Sequence, residues 1–133
     1  MRLETDVRDF LIGAPAIEAL VSDRIYGLIR ESGAALPSIN VQRIHTVRQQ
    51  LFCGVAPLVS ADLQIDSFGI NGDDAWTVAK ALRKLFENFT GPMGNSPQTI
   101  VDIVFLINEF PLIDPDPGVI RVVQLYNFWY LED

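Results

Sequence analysis

The chain predicts an α+β fold: a single, mostly antiparallel sheet of four to five strands covered by one long helix, with short N-terminal helices, in the order ααβββαββ. Three observations predict it. Residues 58–68 alternate cleanly, with Val59, Ala61, Leu63 and Ile65 against Ser60, Asp62, Gln64 and Asp66, as a strand with one wet face should. Residues 71–88 carry a wide apolar stripe at helical spacing (Ala75, Val78, Ala79, Leu82, Leu85, Phe86) opposite Lys80, Arg83, Lys84 and Glu87. Two long apolar runs, 99–110 and 119–131, flank a Pro/Asp/Gly-rich turn at 111–118, the signature of a hairpin.

The remaining elements follow in chain order. Thr5 or Asp6 can cap a short helix to Ile12, with Val7, Phe10 and Leu11 inward, and Gly13 ends it. Pro15 suits the first turn of a second short helix over 15–21, which places Ile17 and Leu20 together. Asp23-Arg24-Ile25-Tyr26 opens an extended segment. Leu36-Pro37-Ser38-Ile39-Asn40-Val41 starts a strand continuing to about Arg48, since Pro is tolerated at a strand start. Residues 49–56 read as a loop or hairpin tip. Asn71-Gly72-Asp73-Asp74 caps the long helix, with acids at the positive end of its dipole. Residues 90–98, with two Gly and two Pro, read as a loop. The long helix covers one sheet face, which leaves the two short N-terminal helices for the other.

The final run breaks the alternation rule. Ile120, Val122, Tyr126, Phe128 and Tyr130 lie on one side, and Val119, Val123, Leu125 and Trp129 on the other. A 133-residue chain forms one domain, 1–133, with one core. It covers one face of such a strand easily, and the second face calls for another layer or another subunit.

Composition narrows the function. With 49% apolar and 20% charged residues the chain is globular. The net charge of −7 and the scattered basic residues argue against gripping nucleic acid, which needs clustered Lys and Arg. The single cysteine, Cys53, fits a reducing compartment. Acids near the N-terminus argue against a signal peptide, and no apolar run approaches the ~20 residues of a membrane span. A soluble protein made in the cytosol, with no membrane partner, is expected.

Chemistry is thinly represented. His45 and Cys53 lie on different elements, and neither has the partners of a metal or nucleophilic site. Asn71-Gly72 lacks the further glycines and the Lys-Ser/Thr of a phosphate loop. Asp62 and Asp66 share a strand face but stand roughly 13 Å apart, beyond even the spacing of roughly 6.5–9.5 Å used by inverting glycosidases. Asp114 and Asp116 belong to turn chemistry first. Tyr126, Phe128 and Tyr130 have the spacing of a base-stacking platform, but Arg121 is the only cation on their strand. No catalytic, cofactor or metal residue is expected, and the chain is expected not to be an enzyme.

The order of these pieces resembles the tail-completion, or tail-terminator, proteins of long-tailed bacteriophages. The resemblance spans nearly the whole chain. It rests on Asp23-Arg24-Ile25-Tyr26 after a short helix, Leu36-Pro37-Ser38-Ile39-Asn40-Val41 opening a strand, and an alternating strand ending at Asp66. The amphipathic helix over 75–85 follows, and then a closing strand over 121–130 with an aromatic-acidic tail. Ser38, where an aromatic is expected, and the apolar density of the last strand depart from the pattern and admit a related head–tail neck protein.

The resemblance implies a structural virion subunit at the tail–neck junction that closes into a ring, commonly a hexamer. Such a ring caps the tail tube at its final length, offers the head connector a docking surface and lets DNA pass through its lumen. Its partners are then further copies of itself, the tube protein and the connector or neck protein. The expected subunit-interface anchors are Tyr126, Phe128, Trp129 and Tyr130, since aromatics dominate interface energetics. Expected axial docking residues lie in the three loops: Gln49, Gln50, Phe52, Met93, Asn95, Asp114 and Asp116. A small-ligand regulatory domain with a ferredoxin-like sheet is the rival from another class; it requires a pocket with convergent polar groups between sheet and helix.

Overall fold

A computed structural model describes residues 2–27, 35–51, 54–87, 89–94, 99–113 and 118–131. The elements are α1 (Arg2–Ile12), α2 (Pro15–Val21), β1 (Ile25–Gly27), β2 (Ser38–Leu51), β3 (Gly54–Gly69), α3 (Gly72–Phe86), β4 (Gly91–Met93), β5 (Thr99–Ile113) and β6 (Ile120–Leu131). They form one six-stranded sheet in the order β1-β2-β3-β6-β5-β4.

This corrects the expected fold class. Among the described residues the chain is mostly sheet, with six strands rather than four to five and three short helices rather than one long cover. The sheet is mixed because β1 runs parallel to β2 over Ile25–Ile39 to Gly27–Val41. The extra strand, β4, lies inside the Pro/Gly segment read as a loop and pairs with Thr99–Val101. The hairpin tip read at 49–56 is mostly strand: β2 extends to Leu51 and β3 begins at Gly54. β5 reaches Ile113, and Gly118, at φ 78°, closes the turn before β6 in the left-handed region that glycine enters freely.

All three helices pack on the same sheet face. Leu3, Val7 and Leu11 of α1, Ile17 and Val21 of α2, and Val78, Leu82 and Phe86 of α3 share one core with Ile39, Val41, Val59, Ala61, Leu63, Ile65, Tyr126, Phe128 and Tyr130. The expectation that the N-terminal helices cover the second face therefore fails. The physical reason is curvature: α1 touches β1 and β2 at one end of the strand order and β4 and β5 at the other. The sheet curls round α1, and its concave face takes every helix. Single-residue bulges at Ile44 in β2 and at Asp102 and Ile107 in β5 bend the outer strands in this way.

Local chemistry fixes the joints. Arg24 Nε donates to Pro37 O at 2.9 Å and Ile39 N to Arg24 O at 3.0 Å, so the two N-terminal motifs quoted for the resemblance meet in one β-pair. Arg8 Nε donates to Ile25 O at 2.8 Å, and Arg43 is ion-paired with Glu4. Asn71 Oδ1 accepts from Asp74 N at 2.9 Å and caps α3. The buried Asp6 carboxylate accepts from Thr99 Oγ1. A Cβ built on Gly94 (φ 92°) would fall 2.6 Å from Asp6 Cβ, so only glycine fits there.

Candidate functional site

The sheet register sorts each strand into an inner and an outer set. Inner rows run across the four central strands as Thr46–Ala61–Phe128–Val104 and Arg43–Leu63–Tyr126–Leu106. Outer rows run as Val47–Ser60–Trp129–Ile103, His45–Asp62–Asn127–Phe105 and Gln42–Gln64–Leu125–Asn108. This decides which half of the doubly apolar last strand is core. Tyr126, Phe128 and Tyr130 are buried within the subunit, where the Phe86 ring packs tilted against Tyr126 and edge-to-face against Phe128 at centroid distances of 5.1 and 5.5 Å. They anchor the fold, not a contact between free surfaces. Trp129 is the only expected anchor on the outer face, and it is half-buried there.

The outer face has two halves. On β2 and β3 it is mostly polar and internally bonded, with Val47 as an exposed apolar residue near its edge. Asn127 Nδ2 donates to Asp62 Oδ1 at 2.7 Å and to Ser60 Oγ at 2.8 Å, and His45 Nδ1 lies 3.7 Å from Asp62 Oδ2. Gln64 Nε2 and Arg121 both reach Asp66, and the Arg121 guanidinium also sits 5.9 Å from the Phe68 ring centroid. The two carboxylates singled out as a catalytic option are thus each held by neutral or basic neighbours. On β5 and β6 the face is apolar. Ile103, Phe105, Ile107 and Leu112 are exposed, Phe105 at 50% and Ile107 at 56%, and they border the half-buried Leu125, Trp129 and Phe110. A contiguous exposed apolar patch of this kind marks an interaction surface.

The expected axial docking residues divide differently. Met93 is fully buried in β4 and belongs to the core; it reached the docking set because its surrounding segment reads as loop. Gln49 and Gln50 lie among the last residues of β2. Phe52, Asn95, Asp114 and Asp116 lie outside the described residues, as does Cys53.

Two of the cavities among the described residues border the sheet. One of about 500 Å³ between α1 and β2 is bordered by Glu4, Thr5, Arg8, Gly27, Val41, Gln42 and Arg43. Its arginines are turned to the protein itself, Arg8 to Ile25 O and Arg43 to Glu4, Thr46 and Tyr130. The other, of about 300 Å³, lies between the end of α3 and β5 and is bordered by Arg83, Phe86, Ile103 and Tyr126. Burial first, and the nearby Glu109 carboxylate second, push the Tyr126 phenol well above its ordinary range, against a smaller pull from Arg83. Among the described residues there is no cluster of three or more His, Cys, Asp or Glu able to hold a metal, and no helix is long and apolar enough to cross a membrane.

The fold and its surface define a class: a small structural subunit whose sheet keeps one face for its own core and shows an apolar area on the other. Residues 5–131 match the family "Tail completion protein gp17". The chain belongs to that family of bacteriophage tail structural proteins. A chain of the "Virion of native gene transfer agent (GTA) particle" is similar in fold, with a TM-score of 0.71 at 10% identity, covering 90% of this chain and 87% of that one. At that identity the likeness concerns the fold. No curated protein matches this sequence.

Proposed function

We propose that the protein is the ring-forming terminator of a phage tail. It caps the tail tube at its final length and presents the docking surface for the head connector, at the tail–neck junction of the virion. Its partners are further copies of itself, probed first as a hexamer, then the tube protein and the connector. It is made in the host cytoplasm and acts by binding, not by catalysis.

The observation that carries this reading is the apolar half of the outer face: Ile103 and Phe105 are exposed and Trp129 and Leu125 half-buried on a face that no helix among the described residues covers. Burying such residues in an assembly stabilises it by roughly 25 cal/mol per Å² of apolar area, before the entropic cost of association. Family membership and the fold likeness to a chain of a phage-like virion support the same direction. The net charge of −7 suits a lumen through which DNA slides without being held. Gln49 and Gln50, among the last residues of β2, remain candidates for axial docking, together with Phe52, Asn95, Asp114 and Asp116.

Native mass spectrometry and light scattering on the pure protein, alone and with tube protein, test the reading, with negative-stain microscopy to show the particle. Ring-sized oligomers are expected. A strict monomer at every concentration, unchanged by tube protein, overturns it.

A further inference from the structure

Resting on the ring reading above, we infer that neighbouring copies are joined by their sheets: the acidic outer edge of β5 in one copy adds to the basic outer edge of β2 in the next. The first observation is unused strand. β1 covers only Ile39–Val41 of β2, and β4 covers only Thr99–Val101 of β5. Among the described residues, 42–51 and 102–113 have no strand on their outer sides. Such edges present rows of backbone N–H and C=O groups that can take another strand.

Charge selects which strand. Residues 42–51 contain no acid; Arg43 is committed to Glu4, and His45 and Arg48 are the further basic residues of this edge, whereas residues 102–113 contain Asp102 and Glu109 and no base. Like edges therefore repel and unlike edges attract. This disfavours two-fold dimers made by β2 on β2 or β5 on β5. It favours head-to-tail contacts, the heterologous kind that closes into rings.

Direction and length agree. β2, β3, β6 and β5 alternate in direction across the sheet. A β2 strand laid beside β5 continues that alternation as an antiparallel pair. In this pairing β1 of one copy and β4 of the other fall at opposite ends of the join and do not collide, because each sits beside the beginning of its own long strand. The join also brings Ile44 and Val47, exposed at 45% and 43% on the β2 edge, up to the exposed apolar side chains of 102–113. The bulges at Ile44, Asp102 and Ile107 confine regular pairing to the stretches between them and discourage stray strands.

The test reverses one edge at a time: His45→Glu with Arg48→Glu on β2, and Asp102→Lys with Glu109→Lys on β5. Each folded variant is expected to remain monomeric at concentrations where the wild type assembles, and an equimolar mixture of the two should regain the ring. Hydrogen exchange on the wild type is the second measurement, with amides in both 42–51 and 102–113 gaining protection on assembly. It decides the matter if a variant fails to fold. Variants that assemble like the wild type, a mixture of folded variants that stays monomeric, or rings whose edge amides exchange as in the monomer overturn the edge join while leaving the ring standing. A wild type that never assembles removes both.

Discussion

The Asp6 carboxylate accepts a hydrogen bond from the Thr99 hydroxyl inside the core, and this contact ties α1 to the start of β5. Asp6→Ala leaves the buried hydroxyl without that partner, which costs about 1–3 kcal/mol. Gly94→Ala should also destabilise, because its Cβ would overlap Asp6 and its φ of 92° disfavours a side chain. Urea unfolding measures both. Midpoints equal to the wild type would show that α1 is not held in this way.

Phe128 and Trp129 are adjacent in sequence and opposite in fate. Phe128→Ala opens a cavity beside Phe86 and should cost about 3–5 kcal/mol in thermal or urea unfolding. Trp129→Ala removes an outer-face ring and should leave a folded monomer that fails to assemble, as read by circular dichroism and light scattering. A folded Trp129→Ala variant that forms rings as readily as the wild type would remove Trp129 from the interface.

Tyr126 carries a fully buried hydroxyl that finds no hydrogen-bond partner among the described residues. Tyr126→Phe should therefore be neutral or stabilise the protein by up to about 1 kcal/mol. The same burial predicts a pH effect. The folded phenol keeps its proton above the ordinary value of 10.0, whereas the unfolded chain releases it there. The stabilisation is complete below pH 10.0 and falls as pH rises past it. The difference in unfolding midpoint between wild type and Tyr126→Phe should be constant below that alkaline range and change within it; curves that stay parallel throughout would contradict it.

Asn71 caps α3 through Asp74 N. Asn71→Ala should cost about 1 kcal/mol, and Asn71→Ser should recover most of it, by chemical unfolding. An Ala variant as stable as the wild type would mean the cap is replaced by solvent.

Most elements were legible in the sequence because their signals are local. Pro15 opens α2, Asn71 caps α3, and the alternation from Val59 to Ile65 marks β3. β4 was hidden because three residues, Gly91-Pro92-Met93, carry turn composition and become a strand only by pairing with Thr99–Val101. The placement of the helices was hidden because curl is a property of the whole sheet. Nothing in the spacing of Leu3, Val7 and Leu11 says that α1 meets both ends of the strand order. The candidate interface was half legible. The excess apolar surface of β6 stands out in the sequence, but with both its faces apolar, only the register separates Trp129 from Tyr126, Phe128 and Tyr130. The charge contrast between β2 and β5 can be read from the letters alone, yet it gains meaning only once the two strands are seen to carry the open edges.

The seat of α1 has a kinetic consequence. Its contacts with β4 and β5 join residues far apart in sequence, 93 positions for Asp6 and Thr99. Contacts of such long sequence separation slow folding, since the loop they close must be ordered first. During synthesis α1 is made well before β4 and β5, so it reaches its final seat only once those strands have formed.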